Sequence, residues 1–465
     1  MNLKDLTGRI ELWILLFFII RLFHITYPPL ETAHSWRQSD VLMVARNFYE
    51  NSANILYPRV DYGGNSSGII GMEFPLLNYI IYLISTIFGY NHYYGRIINL
   101  IVSSLGAYYF YKILKAHFSE GIAFYATISL LSSLWFVYSR KAMPDIFSTS
   151  LVLVGIYHGL RFLYRSDKWI DLIVYAVFIT LGILSKISSG YLMVILLVPL
   201  VNNRIRLNIR IQLALVSAVS LSLVVSWYFI WVPYLSSLSK LGSFFMGVSF
   251  SQGIKELSMN INGTLEKFYF NAMGFSGCII FLTGIYFAIK RNNKIVLYIL
   301  GSLSLAFIIF MLKMGRNFWI DSYYILVFIP VIAFVAGMAI HNIKYKWLKI
   351  LIMIVVFIEN TGNHWTDFFP RKERMELVRL EEIMDIHTGP NDLIAINTID
   401  PTGLYMAHRK GWKLKNYQIQ DDRYMNKLKK EGCKYLVLLN NEQSWHPELN
   451  YRVLFEDKYF TLYQL

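Results

Sequence analysis

Apolar runs of about 15–22 residues recur through the first 360 residues of the chain, too many and too closely spaced for one water-soluble core to bury. A helix at the surface of a soluble protein keeps charge on the face away from its apolar stripe. Here the runs are apolar nearly all round, which suits helices surrounded by lipid or by each other. The expected fold class is a polytopic α-helical membrane protein with a small C-terminal α/β domain. Eleven spans are placed, at residues 10–27, 96–113, 120–138, 146–164, 169–185, 187–202, 211–232, 269–289, 293–313, 322–341 and 346–361. The apolar stretch 75–90 is short against the roughly 20 residues a crossing needs, and is read as a juxtamembrane or re-entrant helix.

The charges orient these spans. The chain has a formal net charge of +14. In a soluble protein that excess would point to nucleic acid, but here most of it lies in short loops between apolar runs. With Lys4 and Arg9 in the cytoplasm, the inner loops hold Lys112 and Lys115, then Arg161, Arg165 and Lys168, then Arg204, Arg206 and Arg210. Lys290, Arg291 and Lys294 follow, and then Lys344, Lys346 and Lys349. Every expected inner loop is basic, as the positive-inside bias requires. Counting 75–90 as a crossing would turn the most basic loops outward. Residues 28–95, 139–145, 233–268, 313–321 and the C-terminal segment are therefore expected outside, in an integral protein of a bacterial inner or cell membrane. The first run contains Arg21 and lacks a small-residue cleavage motif before Tyr27, so it reads as an uncleaved span. Cys278 and Cys433 are not expected to pair and have no metal-ligand spacing around them.

Two domains are expected, 1–362 in the membrane, including the first outer loop, and 363–465 outside it. The second is charged and alternates helix-like stretches (373–386, 424–431) with short β-rich runs (393–396, 435–439, 459–463). Gly403, Gly411 and Gly432 fit no nucleotide-binding fingerprint.

Ionisable residues on the outer face carry the chemistry. The first loop reads ETAHSWRQSD, with Glu31, His34, Trp36, Arg37, Gln38 and Asp40, and continues to Glu73, Phe74 and Pro75. A second loop holds Ser139, Arg140, Lys141, Ala142, Met143, Pro144 and Asp145. Carboxylates beside arginines are costly at a lipid boundary unless they react or bind charge, and on one membrane face the two loops can build one site. Asp40 is expected to cap or begin a helix over 41–49, where Val41, Val44, Ala45 and Phe48 share a face. The surrounding charges can shift its pKa towards a catalytic range. His34 is a candidate base, Arg37 and Arg46 are candidate phosphate ligands, and Trp36 suits the interface. Arg140 and Lys141 run against the positive-inside bias, which gives them another task. Arg96 and Lys186 are isolated cations on the same face, and Lys313, Arg316, Asp321, Tyr323 and Tyr324 form a further polar cluster.

In order along the chain these motifs are His34-x-Trp36-Arg37-Gln38-x-Asp40, EFPLLNYI at 73–80, Arg96, SRKAMPD at 139–145 and Leu184-Ser185-Lys186. Ser226-Trp227-Tyr228, Tyr323-Tyr324-Ile325-Leu326 with Pro330, and Arg409-Lys410-Gly411-Trp412 follow. The pattern resembles the GT-C membrane glycosyltransferases, in particular the family 39-like group of protein O-mannosyltransferases and aminoarabinose transferases, over residues 10–345. The resemblance implies transfer of a hexosyl or pentosyl group from a polyprenyl-phosphate-linked donor to a lipid, glycan or protein acceptor at the extracytoplasmic face. It makes Asp40 the base that activates the acceptor, Asp145 the second-loop acid, Glu73 the acid before the proline and Arg96 the phosphate-side arginine. The family's first-loop Asp-Glu pair is absent, with Arg37-Gln38 near its place, so His34 or Glu31 can share the base's task.

The residues agree with that chemistry, which needs a base for the acceptor and cations for the leaving phosphate. Asp40, Asp145 and His34 are the catalytic candidates. The substrate-binding candidates are Glu31, Arg37, Arg46, Glu73, Arg96, Arg140, Lys141, Lys186, Arg316 and Tyr324. No cofactor is implied. A divalent metal on Glu73 or His34 stays open, although ligand spacing makes no case for one. The alternative is a transporter or lipid flippase, which would place charges at mid-membrane and show a repeat between halves; a receptor or scaffold would leave both acidic loops unexplained. The orientation has a direct test: alkaline phosphatase fused after Leu465 is expected to be active and a fluorescent protein fused there dark, and the reverse pattern would invert every loop.

Overall fold

The computed structural model describes residues 8–166, 168–239, 241, 244–440 and 449–465, so Lys4 lies outside the described residues. The chain forms two compact units. The first comprises Met1–Ile25, Arg96–Tyr228 and Phe245–Trp365, and the second Thr26–Gly95, Phe229–Phe244 and Thr366–Leu465. One division between the units lies between residues 365 and 366. Residues 28–95, expected with the membrane domain, cluster with the C-terminal residues instead.

The first unit is helical. Tyr94–His117, Pro144–Arg165, Leu207–Leu238 (which runs past the unit's edge at Tyr228), Lys294–Met314 and Ser322–His341 are each long and apolar enough to cross a membrane. A sixth candidate is the pair Ile261–Asn271 and Gly274–Lys290, bent by 88°. That is fewer than the eleven spans expected. The remaining expected spans are helical but mostly shorter: Ile10–Arg21, Glu120–Leu131, Trp169–Ser185 and Lys346–Asn363. One of them is stretched: Ile187–Leu196 is a 3₁₀ helix running into Leu197–Leu200. At about 2 Å rise per 3₁₀ residue those two pieces reach roughly 26 Å, where an α-helix of equal length would reach about 21 Å.

Burial sorts the helices. In Ser322–His341, 94% of the apolar window is buried, against 17% in Lys294–Met314. The former is a central helix. The latter presents Leu305, Ile308 and Ile309 outward, as a lipid-facing helix does. Close approach at the centre depends on small residues. A Cβ on Gly337 would lie 2.2 Å from the Ala126 backbone nitrogen, so Ile329–His341 meets Glu120–Leu131 backbone to backbone. Without a hydrophobic drive between helices in lipid, such packing is a main source of cohesion.

The second unit is built on a five-stranded sheet in the order β2-β1-β3-β5-β4. Its strands are β1 (Leu393–Ile396), β2 (Gly411–Lys413), β3 (Cys433–Leu439), β4 (Arg452–Glu456) and β5 (Phe460–Gln464). β1 pairs parallel with β2 and β3, and β5 pairs antiparallel with β3 and β4. Ala395, Leu436 and Leu438 pack with Met425 and Leu428 of the helix Asp422–Lys430. This is the small α/β fold expected from the C-terminal segment.

The first loop closes the β2 edge. Gly411 N–H donates to the Asp61 carbonyl at 2.8 Å, and Gly64 N–H donates back to the Gly411 carbonyl at 2.8 Å. Glu31 bridges to Pro370, and Arg371 N–H reaches the Leu30 carbonyl at 2.8 Å. An open edge is thereby paired within the chain. The helix Leu76–Phe88 occupies the stretch set apart as too short to span, and Asn78 Nδ2 donates to the Val41 carbonyl at 2.7 Å.

Gly337→Leu forces apart two backbones that now touch. It is expected to cost several kcal/mol, beyond the usual 1–3 kcal/mol of overpacking. Thermal unfolding in detergent should show a clear loss for Gly337→Leu and little change for Leu305→Ala on the outward face.

Candidate active site

The helix Ser35–Glu50 begins earlier than its apolar spacing suggests. His34 precedes it in the left-handed conformation (φ +60°), with its carbonyl accepting from the N–H groups of Arg37 (3.1 Å) and Gln38 (3.2 Å). Asp40 therefore lies in the second turn and not at the helix start, which corrects the capping role expected of it. An Asp inside a helix gains nothing from capping and needs another reason to be there.

Its surroundings come from two segments of the second unit, Thr26–Gly95 and Thr366–Leu465. Tyr62 lies close enough to the Asp40 carboxylate for each to act on the other, while Asp40 Oδ1 is shielded from water and has no hydrogen-bond partner among the described residues. Burial pushes the Asp40 pKa up to about 6, with Arg37 and Lys413 pulling it down and Glu73 and Asp400 pushing it up. Lys413 stands 4.2 Å from the centre of the Tyr62 ring, and its own pKa is lowered by burial against the pull of Asp40 and Asp400.

The other first-loop candidates separate into two groups. Arg37 Nη2 donates to Glu73 Oε1 at 2.5 Å, which puts both charges beside Asp40. Glu31 is buried and accepts from Gln38 Nε2 at 2.8 Å. Arg46 belongs elsewhere: it pairs with Asp61 at 3.1 Å and donates to the Tyr405 carbonyl at 2.9 Å, and Asn47 holds the other Asp61 oxygen at 2.8 Å. These contacts make Arg46 a buried brace between first loop and C-terminal residues, where a phosphate ligand was expected.

The first unit gathers the remaining candidates. Arg96, Arg140, Lys141 and Asp145 are all nearly inaccessible. Arg140 Nη2 donates to the Phe23 carbonyl at 2.5 Å and Arg96 Nη1 to the Ile25 carbonyl at 3.4 Å. Both guanidinium groups thus meet the turn that follows the helix Ile10–Arg21. Asp145 lies in the first turn of Pro144–Arg161, after the Pro144 expected to start that helix. Its Oδ1 is 3.7 Å from Lys186 Nζ, and its Oδ2 has no hydrogen-bond partner among the described residues. Lys186 is extended (φ −162°, ψ 113°) between two helices, its ammonium 5.7 Å from the Tyr323 ring centre. Tyr323, rather than the expected Tyr324, faces the lysine; the two rings are 4.5 Å apart. Arg316 is exposed, its backbone N–H held by Glu256 Oε2 at 2.7 Å, and Asp321 accepts from Tyr323 at 3.1 Å. Among the described residues, no three His, Cys, Asp or Glu side chains gather as metal ligands.

Residues 73–231 match the family model for dolichyl-phosphate-mannose-protein mannosyltransferase. ArnT from Cupriavidus metallidurans, solved bound to undecaprenyl phosphate, superposes with a TM-score of 0.62 at 11% identity, over 97% of this chain and 98% of that one. The fold is that of the GT-C membrane glycosyltransferases. The apo oligosaccharyltransferase of Archaeoglobus fulgidus gives a TM-score of 0.55 at 13% identity, over 91% of this chain and 69% of that one. No curated protein sequence matches.

Within this GT-C fold, sequence reasoning missed Tyr62, Lys413 and Asp400. Lys413 follows directly on the RKGW stretch at 409–412 that was singled out, so its neighbourhood was marked but its partner was not.

The raised Asp40 pKa has a stability consequence. Folding favours the protonated carboxyl, so that contribution is complete below the ordinary value near 3.8 and is lost as pH rises through about 6. Asp40→Asn is therefore expected to melt above wild type at pH 8, by about 1–3 kcal/mol, and close to it at pH 4. Parallel melting curves across that range would remove the case for a raised pKa.

Proposed function

We propose that this protein is an integral-membrane glycosyltransferase that moves a sugar from a polyprenyl-phosphate-linked donor to an acceptor at the extracytoplasmic face, with Asp40 as general base. The observation that carries this reading is the Asp40 carboxylate: inside a helix, with one oxygen lacking a partner, and tuned to about 6. A base with that value is largely ionised at neutral pH and still takes up a proton readily.

Asp40 removes the proton from an acceptor hydroxyl or amine as that atom attacks the anomeric carbon of the donor. The new bond forms at this carbon while its bond to the phosphate oxygen breaks, and the bonding electrons leave with the polyprenyl phosphate. Arg37, fixed by Glu73, holds positive charge next to Asp40 and keeps the base from rising further. Arg96, Arg140, Lys141 and Lys186 supply cations for the phosphate, whose charge grows as the bond breaks. Asp145 orients Lys186. His34 sets the entry of the base-bearing helix through its carbonyl, and Glu31 braces that helix through Gln38. The GT-C fold, the mannosyltransferase family match and the lipid phosphate held by ArnT support the donor class.

The test is sugar transfer by purified protein from a panel of polyprenyl-phosphate sugars to host-envelope acceptors. Asp40→Asn is expected to lose at least about a hundredfold in kcat while still binding donor. In wild type kcat/KM should fall tenfold per pH unit below about 6. An Asp40→Asn enzyme with full turnover would remove Asp40 from the chemistry.

A further inference from the structure

Arg21 closes the helix Ile10–Arg21 and is fully buried, with 0% of its surface exposed. Neutral groups take all of its nitrogens. Nε donates to the Phe17 carbonyl at 2.9 Å, Nη1 to Ser139 Oγ at 2.6 Å and Nη2 to Ser104 Oγ at 3.2 Å. No described carboxylate pairs with it, and the charge acting on it is the like charge of Arg140. The carbonyls at the helix C-terminus offset roughly half a unit charge. A full positive charge shut into an apolar helical unit is otherwise a cost to the fold.

The two serines do not need Arg21. Ser139 Oγ donates to the Phe136 carbonyl at 3.0 Å, and Ser104 Oγ to the Leu100 carbonyl at 2.8 Å. What Arg21 adds is a fixed position for Ser139, the residue that opens the Arg140-Lys141 loop, and a positive field beneath it.

We propose that Arg21 is a positioning residue for an anionic headgroup: from behind Ser139 it holds the 139–145 loop and biases it towards a phosphate. This rests on the donor reading given above. The ligand chemistry is a phosphate monoester or diester at a lipid end, and the buried charge is compensated when that anion arrives. The structure thus trades stability of the free protein for affinity, and a purely architectural arginine would show the opposite sign.

The experiment compares apparent melting temperature and binding for wild type, Arg21→Met and Arg21→Lys in detergent, with undecaprenyl phosphate, undecaprenol and inorganic phosphate at equal concentrations. Wild type should be stabilised by undecaprenyl phosphate and not by undecaprenol. Arg21→Met should melt at or above wild type without lipid, and bind undecaprenyl phosphate about tenfold more weakly. Arg21→Lys, which keeps the charge, should retain most of the lipid-dependent shift. If undecaprenol stabilises wild type as well as the phosphate does, the donor reading fails and takes this inference with it. If inorganic phosphate alone gives the full shift, the site takes a free anion and the lipid assignment is overturned. With the wild-type response intact, Arg21→Met binding the lipid phosphate at full strength overturns the inference alone. So does an Arg21→Met protein that melts well below wild type, since Arg21 would then be supporting the fold.

Discussion

The surroundings of Asp40 depend on a short backbone pairing, the exchange of hydrogen bonds between Gly411 and residues 61 and 64 of the first loop. That pairing fixes the register between a loop near the start of the chain and β2 near its end. Trp412 and Lys413 follow within β2, and Tyr62 follows Asp61, so one register decides that Lys413 stands over Tyr62 and acts on Asp40. A Cβ on Gly411 would fall 1.7 Å from the Ile394 carbonyl oxygen, so only glycine fits where β1, β2 and the first loop converge. Arg46 locks the arrangement from the other end of the Asp40 helix. It holds Asp61 by charge and the Tyr405 carbonyl by a hydrogen bond, and each is buried.

Within that frame the Asp40 pKa is set mainly by burial, which the nearby cations oppose only in part. Burial alone would push it further up, and Arg37 and Lys413 alone would pull it below its ordinary range. Glu73 works with burial, since it pairs with Arg37 and adds its own negative charge beside Asp40. A group held near 6 by compensation responds strongly to small changes. Removing Lys413 frees it to rise, and removing Glu73 frees it to fall. The Asp40 carboxyl is tuned by residues from both ends of the chain, a physical reason for the first loop to cluster with the C-terminal sheet.

Helix content, the α/β character of the C-terminal segment and most of the ionisable candidates were legible in the sequence because each rests on local pattern. Apolar run length marks a buried helix, alternation marks a strand, and an acid beside an arginine marks itself. β4 escaped notice because two of its five residues are charged and none is buried at the sheet edge, and β2 because three residues carry no period. The true start of the Asp40 helix was hidden because Ser35, Arg37, Gln38 and Ser39 are polar, and Trp36 alone makes no apolar stripe there. Arg46 was misread for the opposite reason. Its local context, a basic residue on an interfacial helix, is the same for a phosphate ligand and a structural brace, and only Asp61 and Tyr405 distinguish them. Lys413, Asp400 and Tyr62 are joined to Asp40 by tertiary contact alone, and no spacing rule connects residues that far apart. Arg21 was visible only as a charge that disqualified a signal peptide.

An identity of 11% across almost the whole length of a fold is intelligible for helices in lipid. Any large apolar side chain serves on the outer face of Lys294–Met314 or Leu207–Ser226, so those positions fix little beyond length and hydropathy. Buried polar groups are different, because each costs free energy unless something repays it. In the first unit many of them converge on one place: Arg21, Arg96, Asn99, Arg140, Lys141 and Asp145 lie on or against the 139–145 loop and the turn after the first helix. Asn99 is bound three ways there, its Nδ2 reaching the carbonyls of Tyr138, Lys141 and Met143. A fold that needed only to span a bilayer would have no use for such a concentration. The free energy that leaves the lipid face free to vary therefore constrains this loop more than any apolar helix face around it.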